Sequence, residues 1–264
     1  MTDERRGLTS YSPVVSVITV VRNGAATVAD ALCSVAAQNC ANIEHIVIDG
    51  ASTDGTQDVI RQYDAGVATF ISEPDDGLYY AMNKGIALAK GEIIGFLNSD
   101  DVYADARVLE DVAAALQDPA VDACYGDLVY VARDNPGRVV RYWKSRDYAA
   151  GLIEKGWMPA HPTFFIRKRI LEEVGGFNTR YRLQADYDLM IRLFVTRGIR
   201  TVYLPRILVK MRLGGHTNRS LRNVVSGNLE AYAACKENGI PVGPLFILGK
   251  IASRLPQFLH RPPR

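Results

Sequence analysis

The first hundred residues alternate between short runs of β-branched apolar residues and amphipathic stretches, and this alternation restricts the fold more than any other feature of the chain. Val14 to Val21 reads as a buried strand, broken by Asn23 and Gly24. Thr27 to Gln38 then places Val28, Leu32, Val35 and Ala36 on one helical face. Ile43 to Ile48 is a second strand ending at Asp49 and Gly50, and Asp54 is placed to cap a helix carrying Val59, Ile60 and Tyr63. Val67 to Ser72, Leu78 to Ala89 and Glu92 to Leu97 repeat the pattern as strand, helix and strand, the last running directly into Asn98, Ser99, Asp100 and Asp101. Strands separated by helical stretches of this length belong to βαβ units around a mostly parallel sheet. Ligands of such sheets sit beyond the carboxyl ends of the strands. The loops Thr19 to Asn23, Asp49 to Asp54 and Asn98 to Asp101 are therefore expected to converge on one crevice.

The second half has a different texture. Val121 to Tyr130 and Arg138 to Trp143 read as two strands flanking a turn at Asp134 to Gly137. Gln184 to Thr196 reads as a helix, and Ile199 to Leu213 as one or two further strands. At 264 residues the chain can bury one substantial core. We expect a main domain over residues 1–240 and a basic, apolar segment over 241–264. That segment interleaves Leu245, Phe246, Ile247, Leu248, Ile251, Leu255, Phe258 and Leu259 with Lys250, Arg254, Arg261 and Arg264, has no acid, and suits either a lipid interface or packing on the domain.

Two adjacent aspartates at the end of an apolar strand disfavour each other's ionisation unless a cation neutralises them. Mg²⁺ takes one or two carboxylates and completes its shell with water and phosphate oxygens, so Asp100 and Asp101 suit a metal–diphosphate site. The alternative is that one of them caps the helix around Val108 to Leu116. Asp49 reads either as an acceptor for a nucleobase or ribose, or as the acceptor that satisfies the turn through Ser52 and Thr53. A phosphatase-type nucleophile loop would need a second aspartate two residues after Asp49, where Ala51 stands. A dinucleotide-binding turn would need Gly-x-Gly-x-x-Gly after the first strand, which Arg22 to Thr27 does not supply.

Taken in order, Val17 to Asn23, Ile48 to Thr56, Asp76-Gly77 with Ala81 to Gly85, Gly91-Glu92, Leu97 to Asp101, His161 to Phe165, Gly175 to Phe177 and Ala185 to Leu189 resemble the family 2 glycosyltransferases over about residues 14 to 216. The resemblance implies an α/β GT-A fold whose Rossmann-like, mostly parallel sheet joins a nucleotide-binding half to an acceptor-binding half. It implies that Thr19, Val21 and Asn23 border the nucleoside, that Asp49 bonds its base and that Lys84 lies near the diphosphate or ribose. It places Asn98, Ser99 and Asp100 against the nucleotide-sugar, and a divalent cation, Mg²⁺ or Mn²⁺, on Asp101. Asp186 takes the place of the general base, with Asp188 as the alternative two residues on. Either acid has a structural alternative as a surface partner of Arg182 or Arg192.

On the acceptor side fall His161, which precedes Pro162 and an apolar strand, and Trp157, which suits stacking on a sugar or lipid or filling the core. His216 lies where some relatives supply a further metal or diphosphate contact. The implied activity is inverting transfer of a glycosyl group from a nucleotide-sugar to a hydroxyl, on a saccharide or lipid-linked saccharide of cell-envelope assembly. A nucleotidyltransferase and a non-catalytic nucleotide-sugar-binding scaffold are the competing classes.

Composition narrows the setting. A formal charge of +2 gives no field for a nucleic-acid partner. Cys33, Cys40, Cys124 and Cys235 show neither metal-ligand spacing nor a disulfide framework. No stretch of signal-peptide type follows the polar residues Met1 to Ser12, and no run approaches the roughly 20 apolar residues of a membrane span. The expectation is a cytoplasmic protein, with peripheral contact to the inner face of the plasma membrane through its C-terminal segment.

Overall fold

The computed structural model describes residues 15–63, 66–214, 221–243, 246–252 and 257. The first half is built as its apolar periodicity requires. Strand β1 (Val15–Val21) is followed by α1 (Val28–Ala36), β2 (Ile43–Asp49), α2 (Thr56–Gln62), β3 (Thr69–Ser72), α3 (Leu78–Leu88) and β4 (Ile93–Phe96). β1 and β2 are buried along almost their whole lengths, as continuous Val/Ile runs demand when helices cover both faces of a sheet. The ladders β1–β2, β1–β4 and β2–β3 are all parallel.

Beyond the acidic loop come a two-residue strand β5 (Val102–Tyr103), α4 (Val108–Ala115), β6 (Ala123–Ala132) and β7 (Asn135–Trp143). A 3-10 turn at His161–Thr163 leads into β8 (Phe165–Arg167) and α5 (Lys168–Glu173), then α6 (Ala185–Ile191), a π-helical turn over Arg192–Arg197, and β9 (Thr201–Arg212). Helices α7 (Leu221–Glu237) and α8 (Phe246–Ala252) close the described chain.

All nine strands form one sheet in the order β3-β2-β1-β4-β8-β6-β9-β5, with β7 paired to β6. β8 runs antiparallel to both β4 and β6 and so joins the parallel first half to the second. β6 and β9 pair in parallel, while β5 folds back antiparallel on β9. Through this last pairing the chain just after Asp101 is stitched to the strand ending at Arg212.

Two sequence expectations are corrected in the second half. The hairpin turn is Arg133–Asp134, because β7 already begins at Asn135. Pro136 and Gly137 are tolerated there because β7 pairs on one side only, where a missing N–H breaks no ladder. Neither Asp100 nor Asp101 caps α4: that helix starts at Val108, and Asp105 accepts the Arg107 N–H at 2.9 Å.

The start of the C-terminal segment packs on the domain. Phe246 and Lys250 are buried, and the Lys250 ammonium lies 4.5 Å from the centre of the Tyr187 ring and donates to Gln184 at 2.6 Å. No helix among the described residues is long and apolar enough to cross a membrane.

Candidate active site

A cleft of about 1220 Å³ opens where the strand ends meet the second half. One wall is made by Val21, Asn23, Gly50, Asp75, Asp76 and Asn98 to Asp100, and the other by Tyr130, Trp143, Met158, His161, Gln184 and Asp186.

The loops of the first wall are laced together by their own polar groups. Asn23 donates its N–H to Ser52 Oγ at 2.7 Å and accepts the Thr53 N–H at 2.9 Å. The Gly24 N–H reaches Thr56 at 2.9 Å and the Ala25 N–H reaches Asp54 at 3.1 Å. Asn23 and Ala51 both adopt positive φ, at 54° and 53°, a conformation that non-glycine residues hold only where the surroundings fix it. Gly24 lies so close to the acidic loop that a Cβ there would sit 2.8 Å from Val21 and 3.3 Å from the Ser99 hydroxyl. The β1 and β4 ends are thereby brought into direct contact, as the convergence of strand ends requires.

The acidic loop is a tight turn in which the Asp101 N–H bonds the Asn98 carbonyl at 3.0 Å, so its two carboxylates point to different environments. Asp100 lines the cleft. Asp101 is wholly buried and is absent from the cleft lining. Its carboxylate accepts from the Asn98 amide at 3.0 Å and from the Arg212 N–H at 3.3 Å. Burial, aided by the neighbouring Asp100, pushes its carboxyl up to about 8. The Arg212 guanidinium ties this loop down, donating to the Asp100 carbonyl at 3.0 Å and to the Asp30 carboxylate. Among the described residues no three His, Cys, Asp or Glu side chains gather as a metal cluster. Of the acidic loop only Asp100 offers a carboxylate to the cleft, which fits a hard cation completed by phosphate oxygens and water and does not fit an all-protein cage.

Several residues expected at the ligand lie behind it. Thr19 is buried with its hydroxyl 2.9 Å from His45 Nε2, and burial lowers that imidazole to about 4. Asp49 is buried and accepts from the Ser52 N–H at 3.0 Å, the Ser52 hydroxyl and the Ser72 hydroxyl at 2.6 Å, which is the turn-satisfying role. Lys84 is held by Glu73 at 2.5 Å and Asp75 at 2.7 Å. Trp157 is half-buried and packs against the core beside Tyr125 and Tyr148, with ring centres 6.3 Å from each. The tryptophan that does line the cleft is Trp143, whose ring stands edge-on to His161. His216 lies outside the described residues.

On the second wall, Asp186 stands at the first turn of α6. Its Oδ1 accepts its neighbour Tyr187's N–H at 2.8 Å and the Tyr79 hydroxyl at 3.4 Å, while Oδ2 faces His161 Nδ1 at 3.2 Å. Burial, together with the Asp186 carboxylate, pushes the Tyr79 phenol well above its ordinary range, so Tyr79 remains a donor to that carboxylate. Asp188, two residues on, points elsewhere. It is buried, pairs with Arg192 Nε at 2.8 Å and accepts from Asn238 at 3.0 Å. The partnership with Arg192 foreseen for either acid thus belongs to Asp188.

Sequence reasoning missed Asp75, Tyr79, Tyr130, Trp143 and Arg212 as parts of this cleft. For Tyr79 a signal existed, since it lies in the first turn of the helix that follows Asp76-Gly77. For Trp143 and Tyr130 there was none, because their position depends on the β6–β7 pairing across the whole sheet.

The chain matches the family described as Glycosyl transferase family 2 over residues 16–181. It is 30% identical over 213 residues to a PGL/p-HBAD biosynthesis glycosyltransferase of Mycobacterium bovis, an alignment covering 78% of this chain and 80% of that one. It is 32% identical over 185 residues to an uncharacterized glycosyltransferase of Mycobacterium tuberculosis, covering 69% of each. Among solved structures it superposes on the mannosyltransferase of Pyrobaculum calidifontis in complex with GDP-Man and Mn²⁺ with a TM-score of 0.62 at 22% identity, covering 93% of this chain and 70% of that one. The S. aureus TarS 1–349 structure gives the same TM-score at 16% identity, covering 90% and 70%. At these identities the superpositions speak for the fold, a mixed α/β GT-A arrangement.

Proposed function

Since the chain belongs to glycosyl transferase family 2, we propose that it transfers a glycosyl group from a nucleotide-sugar to an acceptor hydroxyl with inversion, and that Asp186 is the general base. The observation that carries this reading is the opposition of two cleft-lining acids, Asp100 on the donor wall and Asp186 on the other, in a cleft wide enough for both substrates.

The acceptor hydroxyl attacks the anomeric carbon, forming the new carbon–oxygen bond as the bond to the nucleoside diphosphate breaks. Its proton passes to Asp186. The side chain is suited to this because the Tyr187 N–H and Tyr79 hydroxyl hold Oδ1 while Oδ2, flanked by His161, borders the cleft. A divalent cation, Mg²⁺ or Mn²⁺, would be held by Asp100 with the donor's own phosphate oxygens, and when bound it supplies neutralisation of the charge growing on the leaving diphosphate. We assign this contact to Asp100 rather than Asp101 because the Asp101 carboxylate is enclosed beneath the loop. Val21, Asn23 and Gly50 would border the nucleoside, with Asp49 and Thr19 supporting their loops from behind.

The mycobacterial relative's role in PGL/p-HBAD biosynthesis supports a saccharide or lipid-linked saccharide as acceptor, used by a cytoplasmic enzyme working at the membrane surface.

The test is to incubate the protein with UDP-, GDP- and dTDP-sugars, Mn²⁺ or Mg²⁺ and saccharide acceptors, and to analyse both products. Release of a nucleoside diphosphate with an inverted anomeric centre is the expected result. Pyrophosphate release would make the protein a nucleotidyltransferase, and a retained anomeric centre would remove Asp186 from the role of base.

A further inference from the structure

Exposed aliphatic side chains stand beside cleft-lining residues on both α7 and β7. Single exposed apolar residues are ordinary, but a group around one opening marks a contact surface. On α7, Val225 and Leu229 are 59% and 57% exposed. Residues 222, 225, 226 and 229 follow the three- and four-residue spacing of one helical face, and Arg222 and Ser226 of that face line the cleft. Val225 and Leu229 therefore sit on its rim. On the hairpin, Val139 and Val140 are 41% and 50% exposed and immediately precede Arg141, which also lines the cleft.

Leu213, itself 38% exposed, lies beside the hairpin. Its N–H bonds the Val131 carbonyl at 3.0 Å, and Val131 is in register with Val139.

The charge around these residues is mainly basic, with Arg133, Arg138, Arg141 and Arg222 against Asp134 and Glu230. From residue 189 to 229 there is no acid. Arg222 makes no ion pair among the described residues, and Arg138 has only an exposed contact of 3.6 Å with Asp134. Aliphatic side chains interleaved with arginines that lack strong carboxylate partners match the boundary between acidic headgroups and acyl chains.

We propose that the acceptor end of the cleft docks on an anionic bilayer surface through Val139 and Val140 of β7 and Val225 and Leu229 of α7, with Arg138 and Arg222 meeting the headgroups. This rests on reading the second wall as the acceptor side, and it deepens that reading. An acceptor anchored in the bilayer would present its saccharide directly to Asp186. The contact is separate from the one expected of the C-terminal segment, since Phe246 and Lys250 are buried against the domain.

The experiment is co-sedimentation of the full chain with phosphatidylcholine vesicles, with and without phosphatidylglycerol, in the absence of donor and acceptor. The variant Val140→Asp/Leu229→Asp changes only exposed positions. We expect the wild type to bind the phosphatidylglycerol vesicles, and the variant to bind at least about tenfold more weakly at unchanged melting temperature and unchanged nucleotide-sugar affinity. Ile251→Asp, an exposed substitution on α8, is expected to leave binding as it was.

Wild type and double variant sedimenting alike, or a wild type that ignores phosphatidylglycerol, would overturn the proposal. So would a wild-type dimer that the variant converts to monomer without loss of vesicle binding, because the surface would then belong to a second copy of the chain. Vesicle binding without any nucleotide-sugar affinity would strike the glycosyl-transfer reading and leave the membrane contact standing.

Discussion

The acidic loop at Asn98–Asp101 and the start of α6 each carry two aspartates close in sequence, and in each one lines the cleft while the other is buried beneath it. The buried members are treated differently. Asp188 is matched by Arg192 and Asn238, so its charge is balanced inside the domain. Asp101 has an amide and one backbone N–H, with Asp100 beside it, and its carboxyl is driven up to about 8. The buried aspartate of the donor wall thus lacks a side-chain ion pair, and that of the α6 wall has one. On the proposed function, a cation held at Asp100 would serve departure of the diphosphate and Asp186 would take the acceptor proton.

Substitutions on the two walls, and one beneath them, put this contrast to the test. The largest stability effect is expected at the balanced pair. Asp188→Asn strands the Arg192 charge, which keeps only the Val174 and Gly176 carbonyls, and should cost about 3 kcal/mol in urea unfolding. Asp101→Asn, which has no such partner charge, should cost less than about 1 kcal/mol. Equal losses would mean the two sites are balanced alike.

Next in size is donor binding. Losing even an outer partner of a metal ligand costs about 10- to 100-fold in metal affinity, so loss of the ligand itself in Asp100→Asn should cost at least about 100-fold in Mn²⁺-dependent nucleotide-sugar affinity by calorimetry. Asp101→Asn should stay within about fivefold. The reverse order would return the metal to Asp101.

The smallest effect lies beneath the donor wall. His45 is lowered to about 4 by burial, from an ordinary value of 6.5. Between those values the unfolded chain binds the proton and the folded one does not. This stability is therefore complete above about pH 6.5 and is lost as pH falls toward 4. His45→Gln should flatten the acid limb, removing about 2 kcal/mol of the stability difference between about pH 7 and pH 5. An unchanged limb would put that loss on other groups.

The converging strand ends were legible because period, β-branched runs and polar loops act locally, and β1 to β4 fall within a residue or two of where the sequence places them. Which acid of each pair meets the cleft was only half legible. Residues two apart on a helix point about 200° apart, so separating Asp186 from Asp188 followed from the helix alone. Adjacent residues in the Asn98–Asp101 turn are sorted instead by the β5–β9 pairing and by Arg212, more than a hundred residues away. Thr19 and Asp49 were expected at the ligand because they end strands, yet the inward side of a strand end is where His45, Ser52 and Ser72 wait. Trp143 and Tyr130 owe their places to the antiparallel β6–β7 ladder, joined through β8 to the first half, which no local pattern announces.

The most direct test of the account compares turnover per folded molecule in Asp186→Asn and Asp188→Asn. Both variants keep side-chain volume, and only the first alters a carboxylate that borders the cleft. A positioned base contributes about 10²- to 10⁴-fold to rate and nothing to ground-state binding of the donor. Asp186→Asn should therefore lose kcat by that factor with donor Kd nearly unchanged, while Asp188→Asn, corrected for its folded fraction, should turn over at close to the wild-type rate. An active Asp186→Asn beside a dead but folded Asp188→Asn would contradict the assignment of the base and the division of labour between the two walls.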